Sequence, residues 1–338
     1  MVTVDDLIRH IFRIQGVNIE EENLARYTGV RRRTTNRIKD AWKSPYIVPI
    51  PPKKGVTLKE SIENALDQLE ERAKGKHINL LWSGGIDSTL VFCALINRGI
   101  KFTVLMDGNS RQEYPLLYDR IVNGDYACDY KLFSPKGLVD LLKLVEDKNN
   151  LFVTGEIGDQ VTGSMITMRY PYEERNMLMK DVIEQDLFCK PYTIPNTHRY
   201  CPILIPNENG THLAIKHCEK TIYEFLGTDE SNTTLSEFLW ALNFIFKYML
   251  VMLRLHQVGL YFDGENKNTF HFFNTEMFQQ WAMWNYKENC AYVKDTDYKM
   301  PFKEYIYEFT GDPIYRDTKL KEPSLKISFY YDEKREPK

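Results

Sequence analysis

The sequence lacks several features that would assign it at once to a common class of protein. Its 338 residues hold 44 Lys and Arg against 47 Asp and Glu, so no excess of positive charge favours binding to nucleic acid or to an anionic membrane. The N-terminus lacks the order of positive, apolar and small residues that marks a signal peptide. The 6 cysteines include no CxxC pair, which argues against a disulfide framework and a zinc site. These absences predict a cytoplasmic protein with reduced thiols.

No membrane span is predicted either, because the one stretch that resembles a span is interrupted by polar and charged residues. A span needs about 20 mainly apolar residues in succession. Residues 238–255 contain Asn243, Lys247 and Arg254, and we interpret this stretch as the central helix of a helical region.

The apolar content that is present suffices for a folded core, and the chain divides into three segments. Hydrophobic residues make up 43% of the sequence and aromatic residues 13%, at a length that accommodates two domains. Residues 1–55 are predicted to form a helical, basic segment and a proline-rich linker. Residues 56–170 alternate strand and helix patterns, which predicts an α/β fold with a doubly wound, mainly parallel sheet. Residues 171–338 hold long aromatic-rich helical patterns, which predict a mainly helical substrate region.

The stretch "LLWSGGIDSTLVFCAL" joins a buried strand pattern to a helix pattern through a short loop. Adjacent Gly84 and Gly85 allow a sharp turn and a close approach of the backbone to a ligand. Backbone N–H groups at the start of the following helix attract anions, and Ser83 and Ser88 add hydroxyl donors. Asp87 can hold a magnesium ion that bridges phosphates. The loop has neither the GK[ST] ending of a P-loop nor a GxGxxG fingerprint, so it predicts a phosphate-binding loop of another type.

The SGG-x-DS pattern at this position resembles the pyrophosphate loop of the N-type ATP pyrophosphatase superfamily. The resemblance implies a sheet of the adenine nucleotide alpha-hydrolase type. It also implies cleavage of ATP between its α- and β-phosphates, usually with adenylation of an oxygen of the substrate. The adenine is then expected against the backbone near Leu105 and Met106, after the second strand.

A second stretch, "LFVTGEIGDQVTGSM", is another strand pattern that ends in polar residues. It resembles the SGEGxDE segment of the asparagine synthetase and β-lactam synthetase branch of that superfamily. Gly155, Glu156 and Asp159 match the segment, whereas Ile157 stands in place of a glycine and Gln160 in place of an acid. The resemblance implies that Gly155 borders the nucleotide, that Glu156 acts as a base near the reacting acyl group, and that Asp159 shares the magnesium ion with the aspartate of the first loop.

A third stretch near the C-terminus carries a weaker resemblance to the same branch. "KMPFKEYIYEFT" followed by "YRDTKLKEP" resembles its pattern of a PF dipeptide, a helix and a lysine-bearing segment. The lysine of that pattern contacts the polyphosphate and the developing negative charge. The resemblance implies this role for Lys319, with Lys321 as the alternative register.

Together these resemblances imply an ATP-dependent, amide-forming synthetase with ATP and Mg²⁺ as cofactors. A substrate carboxylate would be adenylated with release of pyrophosphate, and ammonia or an amine would then displace AMP. The chain begins Met1-Val2-Thr3, without the N-terminal cysteine of glutamine-dependent asparagine synthetases. We therefore expect nitrogen from free ammonia, from an amine on a substrate, or from a separate glutaminase partner.

Two alternatives stay open at the level of sequence. "LARYTGVRRRTTNRIKDAW" resembles a helix-turn-helix unit, which favours an enzyme that adenylates a base in RNA or DNA; the same stretch is also compatible with a solvated basic cap. Ile157 and Gln160, which depart from the family pattern, favour a non-catalytic nucleotide-binding protein.

Overall fold

The structure of the chain, a computed structural model, describes most of residues 55–320. The described residues are 55–132, 147–163, 167, 170–185, 187, 191–193, 200–202, 219–220, 222–245, 268–290 and 292–320. The predicted basic segment and all but the last residue of the linker lie outside the described residues, as does Lys321.

Five parallel strands form the central sheet of an α/β fold, as the alternating pattern predicts. In chain order they are β1 (His77–Leu81), β2 (Thr103–Met106), β3 (Asp129–Leu132), β4 (Asn150–Thr154) and β7 (Thr269–His271). A separate antiparallel pair consists of β5 (Pro191–Thr193) and β6 (Tyr200–Pro202). All residues of β4 are buried, as expected for a strand of a parallel sheet that is covered on both faces.

The strands lie in the order β3-β2-β1-β4-β7, so the side on which the chain adds new strands changes at β1. The chain runs outward from β1 to β2 and β3, and then returns to the other side of β1 to add β4. The carboxyl ends of β1 and β4 are therefore neighbours, with Leu81 paired to Thr154. In open parallel sheets, ligands bind in the crevice at such a reversal. Both polar stretches that the sequence singles out leave the sheet at this point.

Helices flank the sheet and begin or end at recognisable signals. The first begins with a capping box between Thr57 and Glu60, and the second ends at Gly99, whose φ of 72° suits glycine. They are α1 (Leu58–Arg72), α2 (Ile86–Arg98), α3 (Gly108–Glu113), α4 (Pro115–Val122), α5 (Gly158–Thr162), α6 (Tyr172–Arg175), α7 (Met179–Glu184), α8 (Glu276–Cys290), α9 (Met300–Thr310) and α10 (Pro313–Thr318). Residues 222–226 and 235–245 are helical as well.

The last third of the chain completes the same α/β unit. Strand β7 pairs with β4, although the sequence shows few strand signals beyond residue 170. Helix α8 packs against α1 and α5, and α9 packs against α2 and α10. The sheet and its covering helices thus draw on both the second and the third predicted segments.

No helix within the described residues is both long and apolar enough to cross a membrane. The described part of the apolar stretch, residues 238–245, is helical and most of it is buried, including Trp240 and Asn243. The Asn243 side chain donates a hydrogen bond of 2.6 Å to the backbone carbonyl of Asp159.

Candidate functional site

The two glycines of the first loop have different roles. Gly84 has a φ of 78°, and a Cβ atom there would lie 2.6 Å from the carbonyl oxygen of Ser110, so the fold itself requires glycine. Gly85 has an ordinary extended conformation and caps the start of α2. Among the described residues, apart from its two chain neighbours, a Cβ atom at Gly85 would meet only the hydroxyl of Ser83, at 3.3 Å. The lack of a side chain at Gly85 therefore leaves space next to the loop that a ligand could occupy.

The two serines close the loop on itself. The Ser88 hydroxyl accepts a hydrogen bond from the Ser83 N–H at 3.1 Å and donates one to the Gly85 carbonyl at 3.2 Å. The two hydroxyls lie 3.1 Å apart. These hydrogen bonds within the loop hold it in its shape. It leads into the N-terminus of a 13-residue helix, where the first N–H groups lack intrahelical partners and attract anions.

The second polar stretch packs directly against the first turn of α2. A Cβ atom on Gly155 would lie 2.6 Å from the backbone nitrogen of Ser88, and one on Gly158 would overlap the side chain of Asp87. Glycine at both positions lets the exit of β4 approach the helix. This contact brings together the two stretches that the sequence identifies separately, and it places Asp159 close to Asp87.

Ile157 takes the left-handed conformation, with φ 76° and ψ −9°, at the start of α5. This conformation favours glycine and is rare for a β-branched residue. A glycine, which the resembled SGEGxDE segment has at the corresponding position, would adopt this conformation without strain. The Ile157 side chain is only 5% exposed, so apolar burial offsets part of the backbone strain.

A lysine that the sequence analysis assigns no role lies between the two aspartates. The Lys299 ammonium donates to Oδ1 of Asp159 at 2.7 Å and also to Oδ1 of Asp87. Burial lowers the pKa of Lys299, but the Asp159 and Asp87 carboxylates raise it by more, so the net shift is upward and the side chain is charged. The Tyr298 hydroxyl also donates to Oδ1 of Asp159, at 3.3 Å, and to the Gly163 carbonyl, at 2.8 Å.

These contacts bear on the predicted magnesium site. Asp87 and Asp159 are adjacent, as a shared metal requires, but an ammonium group already bridges them. Within the described part of the chain, no group of three or more His, Cys, Asp and Glu side chains is arranged to hold a metal ion. The residues fit a lysine-bridged carboxylate pair and do not fit a resident ion bound by the protein alone.

Glu156 leaves the end of β4 beside a buried histidine on β7. The Thr154 hydroxyl accepts a hydrogen bond from the Glu156 N–H at 3.3 Å and lies 2.8 Å from Nδ1 of His271. Nε2 of His271 is buried and has no hydrogen-bond partner among the described residues. Burial lowers the pKa of His271 to about 4, against the opposing effect of the Glu156 carboxylate, so the ring is neutral at pH 7.

Lys319 lies at the end of α10 and reaches the first loop through Glu113. Its ammonium donates to the Glu113 carboxylate and, at 2.8 Å, to the Glu113 carbonyl. The Cβ atom of Glu113 would be 2.7 Å from a Cβ at Gly84. On the same helix, the Tyr315 hydroxyl donates to the Gly84 carbonyl at 3.3 Å. Helix α10 therefore packs against the first loop through Tyr315, and Lys319 lies beside the loop at Glu113.

The predicted adenine position lies at the end of β2, where part of the backbone makes contacts within the sheet. Leu105 and Met106 are buried, and the Leu105 carbonyl accepts a hydrogen bond from the Trp82 N–H at 2.9 Å. Asp107 then caps α3 by accepting from the N–H groups of Asn109 and Ser110. The adenine contact stays a prediction.

The structure thus brings the predicted residues of both loops together at one edge of the sheet, with Lys319 nearby. Lys299, Tyr298 and His271 are residues of this site for which the sequence predicts no role. Lys299 is the first residue of the quoted stretch "KMPFKEYIYEFT". The signal in the sequence that could have pointed to it is a charged residue directly before an apolar helix with a proline in its first turn. No model of a known protein family matches the sequence, and a search of curated proteins finds no match.

Proposed function

We propose that this protein is an ATP-dependent synthetase that adenylates a substrate carboxylate and transfers the acyl group to ammonia or an amine. In this proposal the sheet is a doubly wound one of the adenine nucleotide alpha-hydrolase type. The observation that carries it is the contact between the loop at residues 83–88 and the segment at residues 155–159. The two stretches lie far apart in the sequence and resemble two different motifs of one enzyme branch. In the fold they contact each other at the carboxyl ends of the neighbouring strands β1 and β4.

Each step uses groups at this edge of the sheet. The loop, through Gly85, Ser83, Ser88 and the first N–H groups of α2, would bind the phosphates, with Lys319 as a further cation. A carboxylate oxygen of the substrate attacks the α-phosphorus, and pyrophosphate leaves with the electron pair of the broken P–O bond. The amine nitrogen then attacks the acyl carbon and AMP leaves. Glu156 would accept the proton that the amine loses.

Magnesium enters the proposal with the nucleotide, because ATP carries the ion on its phosphate oxygens and proteins add only one or two carboxylates. A separate glutaminase remains a candidate partner for supplying ammonia. The cytoplasmic location that the sequence predicts stays a prediction.

The test is to incubate the full chain with α-labelled ATP, magnesium, ammonia and a panel of carboxylic acids. AMP and pyrophosphate that form only with a particular acid would support the synthetase. Release of AMP only with RNA or DNA would favour the alternative in which a base is adenylated. Nucleotide binding without turnover on any substrate would favour the non-catalytic alternative. ADP as the product would contradict all three.

Glu156→Gln tests the assignment of the base. The variant keeps the shape of the side chain but loses its charge, so adenylation should continue while amide formation falls by about two to four orders of magnitude. Single-turnover assays that follow pyrophosphate and amide separately should show the two signals uncoupled. If both fall equally, Glu156 acts in the first step instead.

A further inference from the structure

The negative charges at the site need a positive partner within the protein. Asp87 and Asp159 have side chains that are 21% and 12% exposed, and both contact the same ammonium nitrogen. Two carboxylates this close and this buried repel each other, and a cation between them offsets that repulsion. The resemblance to the synthetase branch implies that this cation is magnesium. Lys299 already occupies the position between the two Oδ1 atoms.

The fold holds Lys299 in this position firmly. Its side chain is 1% exposed, and its ammonium lies 5.4 Å from the ring centre of Tyr298 and 6.0 Å from that of Phe302. The Lys299 backbone, with φ 57°, forms the N-cap of α9, and its carbonyl accepts hydrogen bonds from the first turn of that helix. A lysine enclosed in this way is a part of the architecture and not a surface side chain that has folded inward.

We propose that Lys299 is the charge partner and positioning residue of the Asp87–Asp159 pair, in place of a resident divalent ion. The ligand-free protein then holds no divalent metal at this pair. Loss of the Lys299 charge converts the pair into a divalent cation site, because two adjacent carboxylates with a vacated position between them suit a hard cation. The importance of the pair for catalysis rests on the proposed function, but its metal binding does not.

The experiment measures metal binding without nucleotide, so it is independent of the proposed synthetase activity. The full chain is freed of metal and titrated with Mn²⁺, and bound ion is followed by electron paramagnetic resonance. The wild-type protein should have no Mn²⁺ site at this pair. Its Mn²⁺ binding should therefore be the same as that of the Asp87→Asn and Asp159→Asn variants. A wild-type Mn²⁺ site that either substitution abolishes would overturn the proposal, whether or not any Lys299 variant folds.

Lys299→Met gives the second measurement. Because it removes the ammonium that bridges two largely buried carboxylates, its melting temperature should fall by about 5 °C or more. Millimolar Mn²⁺ should restore at least half of that loss, and adding Asp159→Asn to the variant should remove the restoration. The Lys299→Arg variant, which keeps the charge, should show no response to metal. A folded Lys299→Met protein that neither binds Mn²⁺ nor is stabilised by it would contradict the proposal.

Lys303 provides the matched control. It is also fully buried, one turn later on α9, but its ammonium donates to the backbone carbonyls of Thr296 and Lys319, and no described carboxylate forms an ion pair with it. Lys303→Met should therefore lower the melting temperature without any recovery in Mn²⁺. Equal recovery in both variants would show that the metal acts elsewhere, and the proposal would fail.

Discussion

At the scale of single residues, the site depends on where the backbone tolerates a Cβ atom. Gly155 and Gly158 have no room for one, because the first turn of α2 lies against them. Gly85 has that room, and Ile157 carries a full side chain in a conformation that favours glycine. These differences decide which substitutions test the fold and which test ligand binding.

Gly85→Val should weaken ATP binding and leave the fold intact. The extended conformation of Gly85 suits valine, and within the described part of the chain the nearest non-neighbouring atom to an added Cβ is the Ser83 hydroxyl oxygen, at 3.3 Å. The side chain would occupy the space that the phosphates need, so affinity measured by calorimetry should fall at least about tenfold, or about 1.4 kcal/mol. Unchanged affinity in a folded variant would remove the phosphates from this loop.

Ile157 should reverse the usual order of alanine and glycine. Ile157→Gly and Ile157→Ala lose nearly the same buried side chain, but only glycine relieves the left-handed strain. The glycine variant should be more stable by about 1 kcal/mol in the free energy of unfolding, measured with denaturant. Ile86, equally buried within α2, is the control, and there alanine should be the more stable substitute. The same order at both positions would contradict the strain at Ile157.

His271 should make the protein sensitive to acid. Its pKa is about 4 in the folded protein, because of burial, and about 6.5 in an unfolded chain. Between these values only the unfolded chain binds the proton, so stability falls as the pH drops from 6.5 to 4. In His271→Gln this loss should be smaller by about 2–3 kcal/mol. Unfolding curves of both proteins at several pH values give the comparison, and parallel pH profiles would contradict it.

At the scale of elements, two short helices at the C-terminal end of the described chain position both candidate cations. Lys299 is the N-cap of helix α9, and Lys319 is the C-cap of α10. The buried Lys303 of α9 donates to the Lys319 carbonyl at 3.1 Å and so ties the end of α10 to α9. The two helices therefore act as one unit that places Lys299 between the two polar stretches and Lys319 beside the first loop.

Glu113 should compete with phosphate for Lys319. The Glu113 and Lys319 side chains are 19% and 11% exposed, so their ion pair is largely shielded from solvent. If Lys319 binds the polyphosphate, Glu113→Gln should strengthen ATP binding about fivefold, or about 1 kcal/mol. Lys319→Met should weaken it, and in the double variant the effect of Glu113→Gln should disappear. An effect of Glu113→Gln that persists without Lys319 would place the competition elsewhere.

At the scale of the whole molecule, the sequence is sufficient to predict the α/β class and the two loops at the edge of the sheet. Those features depend on local patterns, such as the glycines at 84 and 85 and the apolar strand at 150–154. The contacts between distant parts of the chain could not be predicted. Strand β7 has only 3 residues, too few for a period to show, and Lys299 acquires its role only when α9 meets the loops. Gly155 is an example of both. The sequence predicts that it follows a strand, but not that it must be glycine because the first turn of α2 packs against it.

The late position of β7 and Lys299 in the chain has a consequence for synthesis. Thr154 and His271, which meet across β4 and β7, are 117 residues apart, and Asp87 and Lys299 are 212 apart. During translation, β4 therefore emerges long before the strand that covers its edge, and both aspartates emerge before their counterion. Pairings that span so much chain form slowly, and unpaired strand edges favour aggregation in the interval. The nascent chain therefore passes through a period in which β4 has not yet paired with β7, and in which Lys299 has not yet been added beside Asp87 and Asp159.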